Sequence, residues 1–521
     1  MTSPLTLTLV ALAASLSISL LITPFAQRLA RALGIVDYPD NHRKLHQRPI
    51  PRCGGIAILL TLFISFALVL VIYPEKTIHL INDWPEAICL GICSTAIVLL
   101  GILDDRFGLR GRQKLVGQVL ICLSIIGFGF SIDHVQLFGW SMELGLLAWP
   151  ITLVWLLLCI NSTNLIDGAD GLCASVGWIA FAAVAAISMH TNNHIEGIIA
   201  AAMAGALLGF LFYNLPPAKV FLGDSGSMLI GLILGVMTMR SWFSEESPLS
   251  ITIPIVLMSI PLFDSLMAIL RRKLTGRSVF TTDRGHLHHN LMRHGIRNRT
   301  LVGVITLLCL ITASGAVAGV ILKSDLISLS TMIFALGTLV LSRLFGFAEL
   351  QLLWKQIITF IATMVSLNRK GPVASRQQVV QFQGTRNWNV VWNTLVEFAE
   401  KHSMARVSMD LNMPWLHEGF HANWHRDRMP EYSERWQIRL PLFHNDRVLG
   451  RLEFIGRHDE SETLEIMTRL TELLETMRVD LQSMIDEFVS IKGGMVDEPQ
   501  STDSQTIPIL PTTAPTSSIP A

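Results

Sequence analysis

Four stretches of this sequence carry residue types suited to handling phosphate and a hard cation. They are LDDRFGLRGRQK (Leu103 to Lys114), NSTNLIDGADGL (Asn161 to Leu172), NLPPAKVFLGDSGS (Asn214 to Ser227) and TTDRGHLHHNLMRHG (Thr281 to Gly295). All four sit at the ends of apolar runs. Carboxylates beside a bilayer are costly unless paired, metal-bound or facing water, so by default they mark a functional site. Several converging on one face suggest a metal-assisted active site for a phosphate-bearing substrate.

Asp104 and Asp105 are adjacent carboxylates, which repel unless a cation or hydrogen-bond donors offset them. Two readings stand. Either they form a solvated helix end with Arg106 as partner, or one holds or deprotonates a phosphate nucleophile while the other positions a metal or a lysine. Asn161, Asn164, Asp167 and Asp170 recur every three residues. On a helix such a series tracks along one side. The intervening glycines instead suggest an irregular turn where a ligand approaches backbone. Hard oxygen ligands of this kind suit Mg²⁺ or Mn²⁺. Asp224 lies between two glycines at the start of a span, where the following backbone N–H groups could face an anion. Phe221 can stack on a planar base or anchor at the membrane interface. His286, His288 and His289 lie in a very basic loop without a nearby cysteine, which favours phosphate binding over zinc. The early loop DYPDNHRKLHQRPIPRCGG, with Arg48, is stiff and basic. It can hold an anionic substrate or serve only as a topology signal.

These loops must be positioned by membrane helices. The chain has 521 residues, 51% hydrophobic and 15% charged, well below the charge of a soluble globular chain. Apolar runs fill residues 1–347, and ordinary soluble sequence begins near Lys370. This predicts an all-α polytopic membrane domain over 1–347, a cytosolic α+β domain over 370–495, and a Pro/Ser/Thr-rich disordered tail over 497–521. Eleven spans are expected, near 5–24, 55–73, 86–103, 115–131, 144–160, 172–188, 196–213, 226–239, 251–270, 301–322 and 326–347. Lys and Arg concentrate in the odd-numbered loops, which places those loops and all four polar stretches in the cytoplasm, with the N-terminus outside and the C-terminus inside. The first run lacks a basic n-region and an evident cleavage site, so it reads as a retained span rather than a signal peptide. The seven cysteines all fall in the membrane half with no CxxC pair, as small buried hydrophobes do. The net charge of zero averages two unlike halves and identifies no partner.

In the C-terminal part, WNVVWNTLVEFAEKH reads as an amphipathic helix. ARVSMDLNM, RWQIRLPLFH and RVLGRLEFIG read as strands, the last two joined by a hairpin turn. A long helix follows from Ser461. The order is that of a small sensor-like domain, by analogy GAF-like, and the long helix equally suits a homodimer contact. His417, His421 and His425 have helical spacing, but Gly419 and Pro414 argue against a metal-binding helix.

Five motifs in order carry a resemblance: the basic/proline loop, DD after the third span, NxxNxxDGxDGL, FxGDxGS and HxHH. Over about residues 1–345 the chain resembles the polyprenyl-phosphate N-acetylhexosamine-1-phosphate transferases of glycosyltransferase family 4. HLHHNLMRHG and LDDRFGL are more similar to the WecA-like branch, which uses UDP-GlcNAc, than to the related MraY branch, which uses UDP-MurNAc-pentapeptide. The resemblance implies transfer of a sugar-1-phosphate from a UDP-sugar to undecaprenyl phosphate, with Mg²⁺ and release of UMP. The product would be the first lipid-linked sugar of a cell-surface polysaccharide. It implies Asp224 as a Mg²⁺ ligand, Asp104 as activator of the lipid phosphate and Asp105 as its support. Asn164 and Asp167 would contribute to metal or substrate binding, and Asn161, Asp170, Asn214, Phe221 and Arg48 to holding the nucleotide sugar. His286, His288 and His289 would contact pyrophosphate or sugar. The implied setting is a bacterial inner membrane, with the site cytoplasmic, the bilayer as partner and no nucleic acid. A transporter would place its carboxylates along a path at the midplane rather than at span ends. An inactive membrane scaffold would have no need of these acids.

Overall fold

The structure, a computed structural model, describes residues 3–38, 49–72, 84–242, 250–274, 285–366, 375–383, 388–413, 418–426, 431, 434–444, 447–457 and 460–493. Arg48, His417, the turn at 445–446 and the 497–521 tail lie outside them.

The first part of the chain is almost wholly helical. Helix α1 (Pro4–Ala32) is followed by two short strands, β1 (Val36–Asp37) and β2 (Ile50–Pro51), then by α2 (Gly54–Ile72), α3 (Trp84–Phe107) and α4 (Gly111–Gly127). A hairpin of β3 (His134–Leu137) and β4 (Trp140–Glu143) leads into α5 (Ala148–Ile166). Helices α6 (Leu172–His190), α7 (His194–Asn214), α8 (Gly223–Trp242), α9 (Thr252–Leu257), α10 (Ser259–Leu274), α11 (Leu287–Arg293), α12 (Asn298–Ile321), α13 (Asp325–Leu341) and α14 (Phe347–Ser366) follow.

Among the described residues seven helices are long and apolar enough to cross a membrane: α1, α2, α3, α5, α6, α7 and α12. Two shorter apolar helices lie at Gly223–Met239 and Asp325–Leu341. The expected count of eleven is therefore not reached among the described residues. The 115–131 stretch forms α4, which opens on Arg112 and Lys114 and has a short apolar part. The 251–270 stretch is broken at Met258 into α9 and α10. Pro261 explains the break: it has no N–H to offer the carbonyl four residues back, and its ring clashes with that carbonyl, which belongs to Leu257.

Helix α8 is the centre of the bundle. It packs against α2, α3 and α5 and is buried on all sides from Met228 to Val236. A helix apolar all round belongs inside, and its N-terminal Asp224 is thereby carried into the middle of the polar loops. Helix α1 packs on α7, where Gly205 and Gly209 lie against Leu12, Leu16 and Ser19 and let the backbones approach, while Ser15 bonds to Ser65 of α2. Ser19 Oγ donates to the Ala206 carbonyl at 2.7 Å.

Beyond α14 lies a five-stranded antiparallel sheet, β5 (Ser375–Gln383), β6 (Arg406–Met413), β7 (Glu418–Arg426), β8 (Arg435–His444) and β9 (Arg447–Arg457), in the order β5-β7-β6-β9-β8. Helix α15 (Asn389–Lys401) buries Val391, Trp392, Leu395 and Ala399. Trp388 Nε1 donates to Glu418 at 3.0 Å. Three of these strands were expected; β5 and β7 were not. His421 and His425 sit on β7, a strand, so their four-residue spacing is not a helical one. Helix α16 (Glu460–Gly493), of 34 residues, belongs to a separate compact unit.

Candidate active site

Two carboxylates in the last turn of α3 face the negative end of a helix dipole and need compensation. The structure gives them different partners. Asp104 Oδ2 pairs with Lys114 Nζ at 2.8 Å, and its Oδ1 accepts from Leu109 N at 2.8 Å. Asp105 instead accepts from the backbone N–H groups of Asp224 and Ser225 at 3.2 and 3.3 Å, with Arg52 Nη1 at 3.6 Å. Asp105 thus caps the start of α8. Of the N–H groups following Asp224 that were expected to face an anion, that of Ser225 is taken by the protein's own carboxylate. Gly101 makes this approach possible: a Cβ there would lie 2.3 Å from Ser225 Cα.

Lys114 is the hub of the site. Its Nζ lies 2.7 Å from Asp224 Oδ2, 2.8 Å from Asp104 Oδ2 and 3.1 Å from Asn164 Oδ1. Asn164 Nδ2 donates to Asp224 Oδ1 at 2.7 Å and to Ser227 Oγ at 2.9 Å. One turn along the same pair of helices, Asn161 Nδ2 donates to Gln118 Oε1 at 2.9 Å. Asn161 and Asn164 therefore form two polar rungs between α5 and α4. The three-residue series divides: the asparagines are helical, Asp167 is the C-cap of α5, and Gly168 to Gly171 form the turn.

Asp167 is half-buried. Removal from bulk water, then the carboxylates of Asp224 and Asp105, hold its carboxyl well above the usual range, with Arg52 opposing. Asp170 and Asn214 hold backbone. Asp170 Oδ2 accepts from Ala218 N at 2.9 Å, and buried Asn214 donates to the Val220 carbonyl at 2.8 Å. Both fix the loop that carries Phe221. The backbone of Phe221 is tied in turn to Pro51, Cys53 and Gly54, and its side chain is half-buried.

The histidines form a second cluster beside the first. His286 Nδ1 lies 3.1 Å from Asp264 Oδ2, and Leu287 N donates to Asp264 Oδ1 at 2.8 Å. Asp264, on α10, is fully buried. His288 stacks between its neighbours, with ring centroids 6.2 Å from His286 and 4.2 Å from His289. It also closes on the Asp167 turn: a Cβ on Gly168 would fall 2.1 Å from the His288 ring. Burial and then the adjacent His289 push the His288 pKa down to about 3, so this ring is neutral. Phosphate binding was expected of all three histidines; a neutral His288 can offer a phosphate a hydrogen bond but not a charge. Its Nδ1 has no hydrogen-bond partner among the described residues.

Lys114, Arg52, Gln118, Ser227 and Asp264 were not expected as site residues. Lys114 and Arg52 fell within stretches read as functional but were not singled out. Among the described residues no three His, Cys, Asp or Glu side chains converge on one point. The converging donors are Asp104, Asn164 and Asp224, all oxygens, gathered about the Lys114 ammonium. Asp224 is the most open, its side chain 35% exposed against 10% for Asp104 and 3% for Asp105. This set fits a hard dication held through one protein carboxylate, with substrate oxygens and water completing its shell. It does not fit a thiol- or imidazole-rich site.

The family model described as Glycosyl transferase family 4 matches residues 87–241, the stretch holding every residue of the Lys114 cluster. A Bacillus subtilis (strain 168) protein named "Probable undecaprenyl-phosphate N-acetylglucosaminyl 1-phosphate transferase" is 35% identical over 326 residues, covering 62% of this chain and 87% of that protein. The chain belongs to glycosyl transferase family 4. Within it the chain is similar to the WecA-like members. An "Undecaprenyl-phosphate alpha-N-acetylglucosaminyl 1-phosphate transferase" of Escherichia coli (strain K12) is 32% identical over 56% of this chain and 78% of its own length. A "Decaprenyl-phosphate N-acetylglucosaminephosphotransferase" of Mycobacterium tuberculosis (strain CDC 1551 / Oshkosh) is 33% identical over 58% and 80%. With its apolar helices, this family 4 chain is a multi-pass membrane protein. The histidine cluster at 286–289 lies outside the matched family segment.

Proposed function

We propose that this protein transfers N-acetylglucosamine-1-phosphate from UDP-GlcNAc to undecaprenyl phosphate at the cytoplasmic face of a bacterial inner membrane, releasing UMP. The observation that carries the proposal is the gathering of Asp104, Asn164 and Asp224 around Lys114 at the ends of membrane helices. Such a place can meet a soluble nucleotide sugar and a lipid phosphate together. The likeness to relatives whose names state this type of transfer supports the same reading.

In the proposed step an oxygen of the lipid phosphate attacks the β-phosphorus of UDP-GlcNAc. The bond from that phosphorus to the oxygen bridging the α-phosphate breaks, and UMP leaves with the electron pair. Positioning and charge compensation do most of the work in phosphoryl transfer. We assign Asp104 to orienting the lipid phosphate, in concert with Lys114. Asp105 holds the start of α8, and so Asp224, in place. Asp224, with Asn164 beside it, is assigned to hold Mg²⁺, or Mn²⁺ in its stead. A dication there supplies neutralisation of the pyrophosphate and of the leaving UMP. Asp167, facing the other acids, carries a proton more readily than a free carboxylate and can donate a hydrogen bond to a phosphate oxygen. His286, fixed by Asp264, and His289 are assigned to the sugar and pyrophosphate, and Asn161 and Phe221 to the nucleotide side.

The test is a radiolabel transfer assay with purified protein, undecaprenyl phosphate and Mg²⁺, comparing UDP-GlcNAc with UDP-MurNAc-pentapeptide. Lipid-linked label from UDP-GlcNAc, with UMP release, is expected. Transfer only from the pentapeptide donor would reject the assigned sugar, and no transfer from UDP-GlcNAc would reject the reaction as stated.

A further inference from the structure

Strands β3 and β4 join the end of α4 to the start of α5, and their register sorts the side chains by chemistry. Val135 pairs with Met142 and Leu137 with Trp140, while His134 pairs with Glu143 and Gln136 with Ser141. Side chains alternate across a strand. One face of the hairpin therefore carries Val135, Leu137, Trp140 and Met142, and the other carries His134, Gln136, Ser141 and Glu143. The apolar face is open at Trp140, 84% exposed, and Met142, 61% exposed, while Val135 packs against the core. Phe138 at the tip, and Leu146, Leu147 and Trp149 just after, are exposed as well.

A lone two-stranded hairpin is marginal in water, yet this one is fastened. Phe138 N donates to Asp325 Oδ2 at 2.9 Å, and Asp325 Oδ1 accepts from Thr252 Oγ1 at 2.9 Å. Ile251 N donates to the Gln136 carbonyl at 2.9 Å. Its position follows from the helices it connects. Lys114 is near the start of α4 and Asn164 near the end of α5, so the hairpin joins the two ends remote from the active site. Helix α5 has 19 residues, about 28 Å at 1.5 Å per residue.

We infer that this hairpin and the short turn after it lie in the interfacial layer of the leaflet opposite the active site, with lipid covering the apolar face. The apolar surface is continuous with that of the spans. Phe128 at the end of α4, Val154 on α5, and Leu322 and Leu326 flanking the Asp325 anchor are all exposed. Tryptophan favours this layer because its ring is apolar and its N–H seeks water. On the opposite, polar face Ser141 and Glu143 are exposed and meet the solvent side, while Gln136 turns its Oε1 inward. An open apolar face on an aqueous surface would mark a binding site; here the adjoining belt of exposed apolar residues on the spans names lipid as the occupant. The inference does not depend on the reaction catalysed.

A depth measurement tests it, on the full chain in nanodiscs of phosphatidylethanolamine and phosphatidylglycerol. Nitroxides at Trp140→Cys and Leu146→Cys are compared with one at Glu143→Cys; the seven native cysteines are buried. At 140 and 146, collisions with oxygen should exceed those with an aqueous nickel chelate, and the order should reverse at 143. Equal nickel access at all three sites overturns the proposal. So does spin–spin broadening between copies at 140, which would give the face to a second chain. A second measurement avoids the cysteine variants: lipids brominated near the headgroup should quench the native chain more than Trp140→Phe. Equal quenching overturns the inference.

Discussion

Replacing Lys114 by methionine should cripple the site while leaving the bundle assembled. The ammonium lies 2.7 Å from Asp224 and 2.8 Å from Asp104, and its side chain is 14% exposed. At such distances and an effective dielectric near 20, each pair is worth about 6 kcal/mol of Coulomb energy. Desolvation offsets most of this. Measured losses on removing one partner of a buried pair are about 3–5 kcal/mol, because the other charge is left uncompensated. Asp224 is a third exposed, and water screens its share. We therefore take about 3 kcal/mol, which corresponds to roughly a 100-fold loss in kcat/KM if the cluster must be held together in the transition state. The assay is the initial rate of UMP release with purified Lys114→Met, alongside thermal unfolding in detergent. Adding Asp104→Asn to Lys114→Met should restore stability, because the repulsion is relieved, without restoring the rate. A Lys114→Met protein that unfolds at the native temperature and reacts within threefold of the native rate would refute the reasoning.

Asp224→Ala should lose at least 100-fold in rate and lose the dependence of the remaining rate on Mg²⁺ concentration, with circular dichroism unchanged; a full rate would remove Asp224 from the proposed dication site. Gly101→Ala should cost activity more than stability. Its new Cβ would meet Ser225 Cα at 2.3 Å and displace the start of α8, a strain of about 1–3 kcal/mol, so a native rate would show that α8 tolerates the shift. His288 links stability to pH. Its pKa is depressed from 6.5 to about 3, so its contribution is complete above pH 6.5 and is lost as pH falls from 6.5 towards 3, because the unfolded chain takes up the proton first. The unfolding temperature of His288→Asn should fall less steeply over that window than the native one, and parallel curves would contradict the assignment.

The residues of the Lys114 cluster were legible as loop motifs because acids and amides at span ends stand out against apolar sequence. Their division of labour was not. Asp104 and Asp105 are neighbours in sequence, yet one faces Lys114 and the other the start of α8, a difference set by how α3 packs on α8. Lys114 was hidden among the basic residues that set topology, since nothing local separates a buried ammonium from a solvated one. Asp264 lies within an apolar run and gains a role only through the fold that brings His286 to it. The break at Met258 was readable from Pro261. In the C-terminal sheet, β7 shows the alternation Phe420, Ala422, Trp424, all buried, a period of two that its regularly spaced histidines masked. Strand β5, QQVVQF, has no such alternation and is fixed by its pairing with β7.

The central claim is that the bond broken lies between the two phosphates of the donor, so that the sugar moves together with its phosphate. UDP-GlcNAc labelled with ³²P at the β-position decides this in one experiment with undecaprenyl phosphate and the purified protein. The account predicts that the label enters the lipid fraction and that unlabelled UMP is released in equal amount. Label recovered in free UDP, with sugar alone on the lipid, would contradict it.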